Sequence, residues 1–265
     1  MDHKLFIVIL LIIFSSCKKK TYNSSKVNNE YKLVNTFNHD INSFTEGLFY
    51  DGTDFYESTG SPESIPHTKS VFGILNLNTG KIDVKGELNK QIYFGEGIAK
   101  ADDKIFQLTY LNKTGFVYDA ITFKKIESFS FENSEGWGLT NIGNDTLIMS
   151  DGTDILTYIN VKNLKPVKKI RVKEFGIPLN NINELEYVNG YIYANIYTEN
   201  RIVKINIKNG EVIKSIDLSR LYYDSKNIHP NSLEMNGIAY NKKANTFFIT
   251  GKMWPRIYEI KLNDN

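Results

Sequence analysis

Five times along the chain an apolar strand, a short polar turn and a second apolar strand recur in the same order. A period of about 40 to 50 residues points to a propeller or a solenoid, because such a unit buries its apolar face only against its neighbours. The units are Glu46-Gly47-Leu48 through Phe55-Tyr56, Glu96-Gly97-Ile98 through Ile105-Phe106, Trp137-Gly138-Leu139 through Leu147-Ile148, Asn183-Glu184-Leu185 through Ile192-Tyr193, and Asn236-Gly237-Ile238 through Phe247-Phe248. Aligned on Gly47, Gly97, Gly138, Glu184 and Gly237, they stand 50, 41, 46 and 53 residues apart.

Each unit is followed by a second hairpin. It reads most clearly as Ile202 to Ile207, the turn Lys208-Asn209-Gly210, and Val212 to Ile216, where alternation around Asn-Gly is a strong hairpin signal. The same element recurs at Val71 to Leu77 with Asn78-Thr79-Gly80, at Phe116 to Ala120 before Ile126 to Phe129, and at Ile155 to Val161 before Val167 to Val172. Four strands per repeat make a propeller blade. Sixteen Tyr and sixteen Phe against six Pro suit pleated, half-buried strands, so the fold class is all-β, a five-bladed propeller. The last repeat ends on Ile257 to Leu262 with three strands, while Tyr31 to Phe37 is a strand without a blade. Pairing the two closes the ring and removes both exposed edges. Two stacked β-sandwiches would explain neither the repeat nor this offset.

The propeller is therefore expected over residues 31–265, preceded by two segments of other kinds. Leu5 to Phe14 is an uninterrupted apolar run behind Lys4, too short to span a bilayer and suited to the h-region of a signal peptide. Phe14-Ser15-Ser16-Cys17 resembles the lipobox of bacterial lipoproteins, with Phe14 where Leu is usual, which makes 1–17 a signal peptide and Cys17 an acylation site. The alternative is an ordinary secreted protein with a chance cysteine. Residues 18–30 are polar and read as a tether. The expected location is then a bacterial cell envelope, periplasmic or at the surface, with the protein held to the membrane by lipid and monomeric. Cys17 is the only cysteine, so intramolecular disulfides and Cys-rich zinc sites are excluded. A formal charge of +2 argues against nucleic acid as a partner.

Within a blade, the start of the first strand and the end of the second lie on one face. Glu46, Glu96, Trp137, Asn183 and Asn236 should thus ring one mouth of the channel, joined by Ser58-Thr59, Thr109-Tyr110, Ser150-Asp151, Tyr197 and Lys252 from the second strands. Two carboxylates, two amides, an indole and a lysine converging on one cleft suit a binding or catalytic site. Three readings fit these residues: acid–base catalysis, a calcium-dependent lactonase-like hydrolase using Glu46, Glu96, Asn183 and Asn236 as ligands, or a peptide- or glycan-binding propeller. The histidines His3, His39, His67 and His229 show no metal-ligand spacing and read as ordinary loop residues. Trp137 and Trp254 also suit packing between blades.

Six motifs in order carry a family resemblance: Phe44-Thr45-Glu46-Gly47-Leu48, Phe94-Gly95-Glu96-Gly97, Gly136-Trp137-Gly138-Leu139-Thr140, Asn183-Glu184-Leu185-Glu186-Tyr187, Asn236-Gly237-Ile238-Ala239-Tyr240 and Thr250-Gly251-Lys252-Met253-Trp254-Pro255. Over about residues 31 to 262 the chain resembles the plant and bacterial type glutaminyl-peptide cyclotransferases. The resemblance implies a five-bladed propeller that converts the N-terminal glutamine of peptides or proteins to pyroglutamate with loss of ammonia. It implies Glu96 as the catalytic glutamate, Lys252 as the essential lysine and Asn183 as a substrate-site residue. Glu46 stands where the family commonly has Gln, and Tyr197 where it commonly has Trp. Cyclisation needs a proton taken from the substrate's amine and one returned to the departing nitrogen, which one carboxyl can do. Lys252 would hold the oxyanion, Trp137 and Tyr197 would wall the pocket, and Asn236 and Glu46 would help bind substrate. No cofactor is required for this chemistry, which leaves room for a structural ion elsewhere.

Overall fold

In the computed structural model each repeat folds as an antiparallel sheet of four strands, and five such sheets surround one channel. Residues 30–263 are described; the expected signal segment 1–17, Cys17 and the tether to residue 29 lie outside the described residues. Blade 1 consists of Thr45–Tyr50, Phe55–Thr59, Val71–Asn76 and Lys81–Glu87. Blade 2 consists of Gly95–Ala101, Lys104–Thr109, Thr114–Asp119 and Lys125–Ser130. Blade 3 follows as Leu139–Ile142, Thr146–Met149, Ile155–Asn160 and Pro166–Arg171, and blade 4 as Ile182–Val188, Tyr191–Ile196, Arg201–Asn206 and Val212–Asp217. Blade 5 takes Met235–Asn241, Thr246–Gly251 and Arg256–Leu262 from the C-terminal end of the chain. Its outermost strand is Tyr31–Asn38, antiparallel to the last one from Tyr31 opposite Leu262 to Asn38 opposite Arg256. The ring closes as the three-stranded last repeat requires.

The blades hold together through side chains that interleave between neighbouring sheets. Phe72 of blade 1 meets Tyr118 of blade 2 with ring centroids 4.3 Å apart, and Phe55 meets Phe248 of blade 5 edge-on at 4.6 Å. Such pairs add about 0.5–1.5 kcal/mol each beyond the area they bury.

The repeat glycines have a steric cause. A Cβ at Gly97 would stand 2.5 Å from both the Leu139 nitrogen and the Trp137 oxygen, and one at Gly138 only 2.2 Å from the Asn183 oxygen. Inner strands of adjacent blades therefore touch backbone to backbone around the channel, which only glycine permits. Blade 4 breaks the rule. Glu184 takes the glycine position, and its carboxylate accepts hydrogen bonds from the Leu48 amide at 3.2 Å and the Ile238 amide at 2.9 Å. One fully buried side chain thus ties blades 1, 4 and 5 together across the channel.

Four of the five inner strands carry one extra residue at their first turn. The register shifts fall between Thr45 and Gly47, Gly95 and Ile98, Ile182 and Leu185, and Met235 and Ile238. A β-bulge redirects the side chain of the added residue out of the ladder. The bulges contain Glu46, Glu96, Asn183 and Asn236.

Two insertions depart from the all-strand reading. Helix Ser219–Ile228 joins blades 4 and 5; Leu221 and Ser225 are its buried residues, and Tyr222 packs against the same core cluster as Leu221. A small hairpin, Lys173–Glu174 with Ile177–Pro178, precedes blade 4. No helix among the described residues is long and apolar enough to cross a membrane.

Candidate active site

At the mouth, the turn after the second strand of blade 5 carries Lys252. Its ammonium lies 2.8 Å from Glu46 Oε1, with both side chains almost wholly removed from solvent. Glu46 Oε2 also accepts a hydrogen bond from Asn236 Nδ2 at 2.8 Å. Two aromatic rings complete the box: Lys252 Nζ is 4.7 Å from the centroid of Phe44 and 5.4 Å from that of Tyr197. Tyr197 in turn meets Trp137 edge-on at 5.5 Å. The expected residues Glu46, Lys252, Asn236, Tyr197 and Trp137 are thereby linked in one continuous set of contacts.

Glu96 belongs to the same set electrostatically. It feels the charges of Glu46, Lys252 and Glu135, yet no hydrogen-bond donor among the described residues reaches its carboxyl, and the residue is only 5% exposed. Burial, with Glu46 beside it, pushes Glu96 well above the usual carboxylate range, and Lys252 only partly opposes this. Burial also pushes Glu46 up, to about 7, against the pull of Lys252. For Lys252, burial acts to lower the value but the raising influences, led by the Glu46 carboxylate that it touches, outweigh it, so the ammonium stays charged. Two carboxyls share this corner with one ammonium. Glu46 has two donors at 2.8 Å and Glu96 has none, so the negative charge belongs on Glu46 and the proton on Glu96.

Asn183 sits at the equivalent bulge of blade 4, and its backbone oxygen accepts from Ser150 Oγ at 2.7 Å. The side-chain oxygens of Asn183 and Asn236 are buried without a donor among the described residues. An unpaired buried acceptor costs free energy, and a bound N–H or an ordered water relieves it. Ser58 and Ser150, expected in the ring, instead brace its backbone: Ser58 Oγ donates to the Glu96 oxygen at 2.6 Å, and Ser150 Oγ accepts from the Gly138 amide at 2.8 Å.

Several assignments change. His39 is no ordinary loop residue, since it is buried and paired with Glu57, Nε2 to Oε1 at 3.1 Å. Trp254 is fully buried and donates to the Leu233 oxygen at 3.0 Å, which makes it packing. Trp137 is half-buried and faces the site. Glu135 is a site residue that sequence reasoning missed; it accepts from Trp137 Nε1 at 2.7 Å and adds a further negative charge near Glu96. Its place two residues before Trp137 was the available signal. As for calcium, Glu46 spends its two oxygens on Lys252 and Asn236, and among the described residues no three His, Cys, Asp or Glu side chains group as metal ligands.

Comparison with known proteins agrees with this geometry. The family described as glutamine cyclotransferase matches residues 6–262. A glutaminyl-peptide cyclotransferase from Arabidopsis thaliana is 36% identical over 236 residues, which is 88% of this chain and 72% of that one. The crystal structure of Myxococcus xanthus glutaminyl cyclase superposes with a TM-score of 0.79 at 30% identity, covering 88% of this chain and 96% of that one. A five-bladed ring closed by its first strand, with a lysine and two carboxyls at one mouth, thus has both a sequence relative and a structural one, and the chain belongs to the glutamine cyclotransferase family.

Proposed function

We propose that this protein is a glutaminyl-peptide cyclotransferase that closes the N-terminal glutamine of peptides or proteins to pyroglutamate and releases ammonia. The observation that carries the reading is a buried Glu96 carboxyl without a donor among the described residues, in the field of an ammonium, Lys252, that is held 2.8 Å from Glu46.

In the reaction the α-amino nitrogen attacks the γ-carbonyl carbon, a C–N bond forms, and the side-chain amide C–N bond breaks. Glu96, protonated at the outset, gives its proton to the departing nitrogen, which leaves as ammonia, and the carboxylate so formed takes the proton that the attacking nitrogen, entering as the free amine, sheds. Burial, with Glu46 beside it, raises Glu96 above the ordinary carboxylate range, which suits a carboxyl that must donate as well as accept a proton near neutral pH. Lys252 has three N–H bonds and uses one on Glu46, leaving donors for the oxygen that becomes negative in the tetrahedral intermediate. Trp137 and Tyr197 form the wall against which the substrate chain lies, and Asn183 and Asn236 offer amide oxygens to its N–H groups. The five-membered ring closure gains from orientation, which a boxed site preserves.

This chemistry runs on the chain's own acid, base and cation, without a metal. Incubation with a Gln-initiated dipeptide should release ammonia and a pyroglutamyl product in equal amounts, and a chelator should leave both unchanged at constant melting temperature. No ammonia from any Gln-initiated peptide would defeat the reading, and activity restored by Ca²⁺ after chelation would favour the hydrolase.

The same proposal extends to residues 1–30. Residues 1–17 act as a lipoprotein signal, Cys17 takes the acyl anchor, and the polar segment up to residue 30 tethers a monomeric propeller (31–265) to a bacterial envelope membrane. Cys17→Ser should shift the protein out of the membrane fraction or leave it unprocessed. Partition identical to wild type would remove the anchor from the account.

A further inference from the structure

Behind the Lys252 turn lies a buried ion pair that the reaction above does not use. His39 Nε2 is 3.1 Å from Glu57 Oε1 and 3.2 Å from Oε2, and Nδ1 is 2.8 Å from the Trp254 backbone oxygen. Neither side chain has exposed surface. Both ring nitrogens therefore face acceptors, whereas a neutral imidazole has only one N–H to donate. Thr250 does not resolve the conflict, because its hydroxyl donates to the Arg256 oxygen at 3.0 Å and so presents a lone pair to Nδ1, 3.3 Å away. The geometry calls for an imidazolium. The electrostatics agree: burial alone would lower the pKa of His39, but Glu57 outweighs it and the net displacement is upward.

The contacts of this pair lead to both charged partners of the site. His39 holds two successive carbonyls just beyond Lys252, Trp254 through Nδ1 and Pro255 through its own amide at 3.0 Å. Between them and Lys252 lies Met253 with φ of 58°, a left-handed conformation that a non-glycine residue adopts only when its surroundings impose it. The Met253 amide is fixed on the Ser43 oxygen at 2.7 Å. On the other side, Glu57 Oε1 accepts from Thr45 Oγ1 at 2.8 Å, and Thr45 immediately precedes Glu46. The charged groups facing the ring are Glu57 and, from its own loop, Asp40, whose carboxylate is engaged by Lys81 at 3.1 Å. The 250–256 turn meets the ring with carbonyl and hydroxyl oxygens only.

We propose that His39 and Glu57 are positioning residues for the cyclisation: the imidazolium–carboxylate pair clamps the strained 251–255 turn against the Thr45 strand and so aims Lys252 and Glu46 at one another. The proposal rests on the role given to Lys252 above. If His39 loses its second proton, one of its two bonds is lost and the turn is freed, while no group that touches substrate has changed.

The test is a mutant cycle. Glu57→Gln and His39→Gln should each lower kcat by roughly tenfold or more, the scale expected of a small misplacement of a reacting group, with KM within about threefold. In a Lys252→Met background the same His39→Gln change should cost little further, because a residue that acts through Lys252 has nothing left to position. Full multiplicative losses in that background would overturn the proposal, as would wild-type kcat in both single variants. Should the variants fail to fold, ¹⁵N NMR of the wild-type His39 ring at pH 7.5 still decides: two protonated nitrogens are expected, and a single neutral tautomer would contradict it. Wild type that releases no ammonia would defeat the proposed function, and the NMR result on the pair would stand apart from that failure.

Discussion

Glu96 at the mouth and Glu184 inside the channel are the same residue type at nearly the same burial, 5% and 0% exposed, and both carboxyls are raised well above the ordinary range. They differ in what faces their oxygens. Glu184 has a backbone amide on each oxygen, from blades 1 and 5, and so does a structural job that no proton need enter or leave. Glu96 has no donor from the described residues and sits among Glu46, Glu135 and Lys252, so its protonation state responds to whatever arrives at the mouth. Burial perturbs both; uncommitted oxygens make one of them chemical.

The largest expected effect falls on Glu96. Glu96→Gln keeps shape and cannot carry the proton, so kcat should fall by roughly 10²- to 10⁴-fold with an unchanged or higher melting temperature, read by ammonia release and calorimetry. Next comes Lys252→Met, which keeps the packing of the stem and removes the charge; a loss on the order of 10²- to 10³-fold in kcat is expected of an oxyanion donor. Near-wild-type turnover in either variant would dissolve the distinction between mouth and channel.

Glu184→Ala should do the reverse. It leaves the Leu48 and Ile238 amides without their acceptor, which costs about 2–4 kcal/mol in a denaturant titration, while kcat in the surviving fold stays within a few-fold of wild type. The pH dependence sharpens the point. A carboxyl whose folded pKa lies above its unfolded value, about 4.3, contributes stability that is fully present below that value and lost as pH rises through the raised one. Wild-type stability should therefore decline from mildly acidic toward alkaline pH, and Glu184→Ala should flatten part of that decline.

The smallest effect is expected of Glu46→Gln, which installs the residue common in the family. Burial still raises Glu96 in this variant, but the negative charge of Glu46 that adds to the rise is gone and Lys252 is free to oppose it, so the acid limb of the kcat profile should move to lower pH. Movement toward higher pH would mean that Glu46, rather than Glu96, holds the proton.

Much of this was legible in the sequence because one steric event repeats five times. The glycines mark where inner strands touch, and the residue before each marks the mouth, so Glu46, Glu96, Trp137, Asn183 and Asn236 could be collected by alignment alone. The bulges that aim four of them leave no separate sequence signal, since one extra residue in a strand resembles a short turn. What stayed hidden depends on contacts between distant segments. His39 looked like a loop histidine because Glu57 lies two strands further on, in Phe55–Thr59, and Trp254 is 215 residues away. Glu184 aligns with the repeat glycines, and nothing in its own segment reveals that its partners are in other blades. Glu135 is a local neighbour of Trp137, two residues before it, but lies outside the repeat register that the alignment collects.

The central claim is that Glu96 holds the proton in the substrate-free enzyme at neutral pH. A ¹³C-carboxyl NMR titration of glutamate-labelled protein measures it, with the Glu96 signal assigned by its loss in Glu96→Gln and the Glu184 signal by its loss in Glu184→Ala. The account predicts a Glu96 carboxyl still protonated at pH 7, with its midpoint lowered in Glu46→Gln. A Glu96 signal already ionised at pH 5, like that of an exposed glutamate, would contradict it.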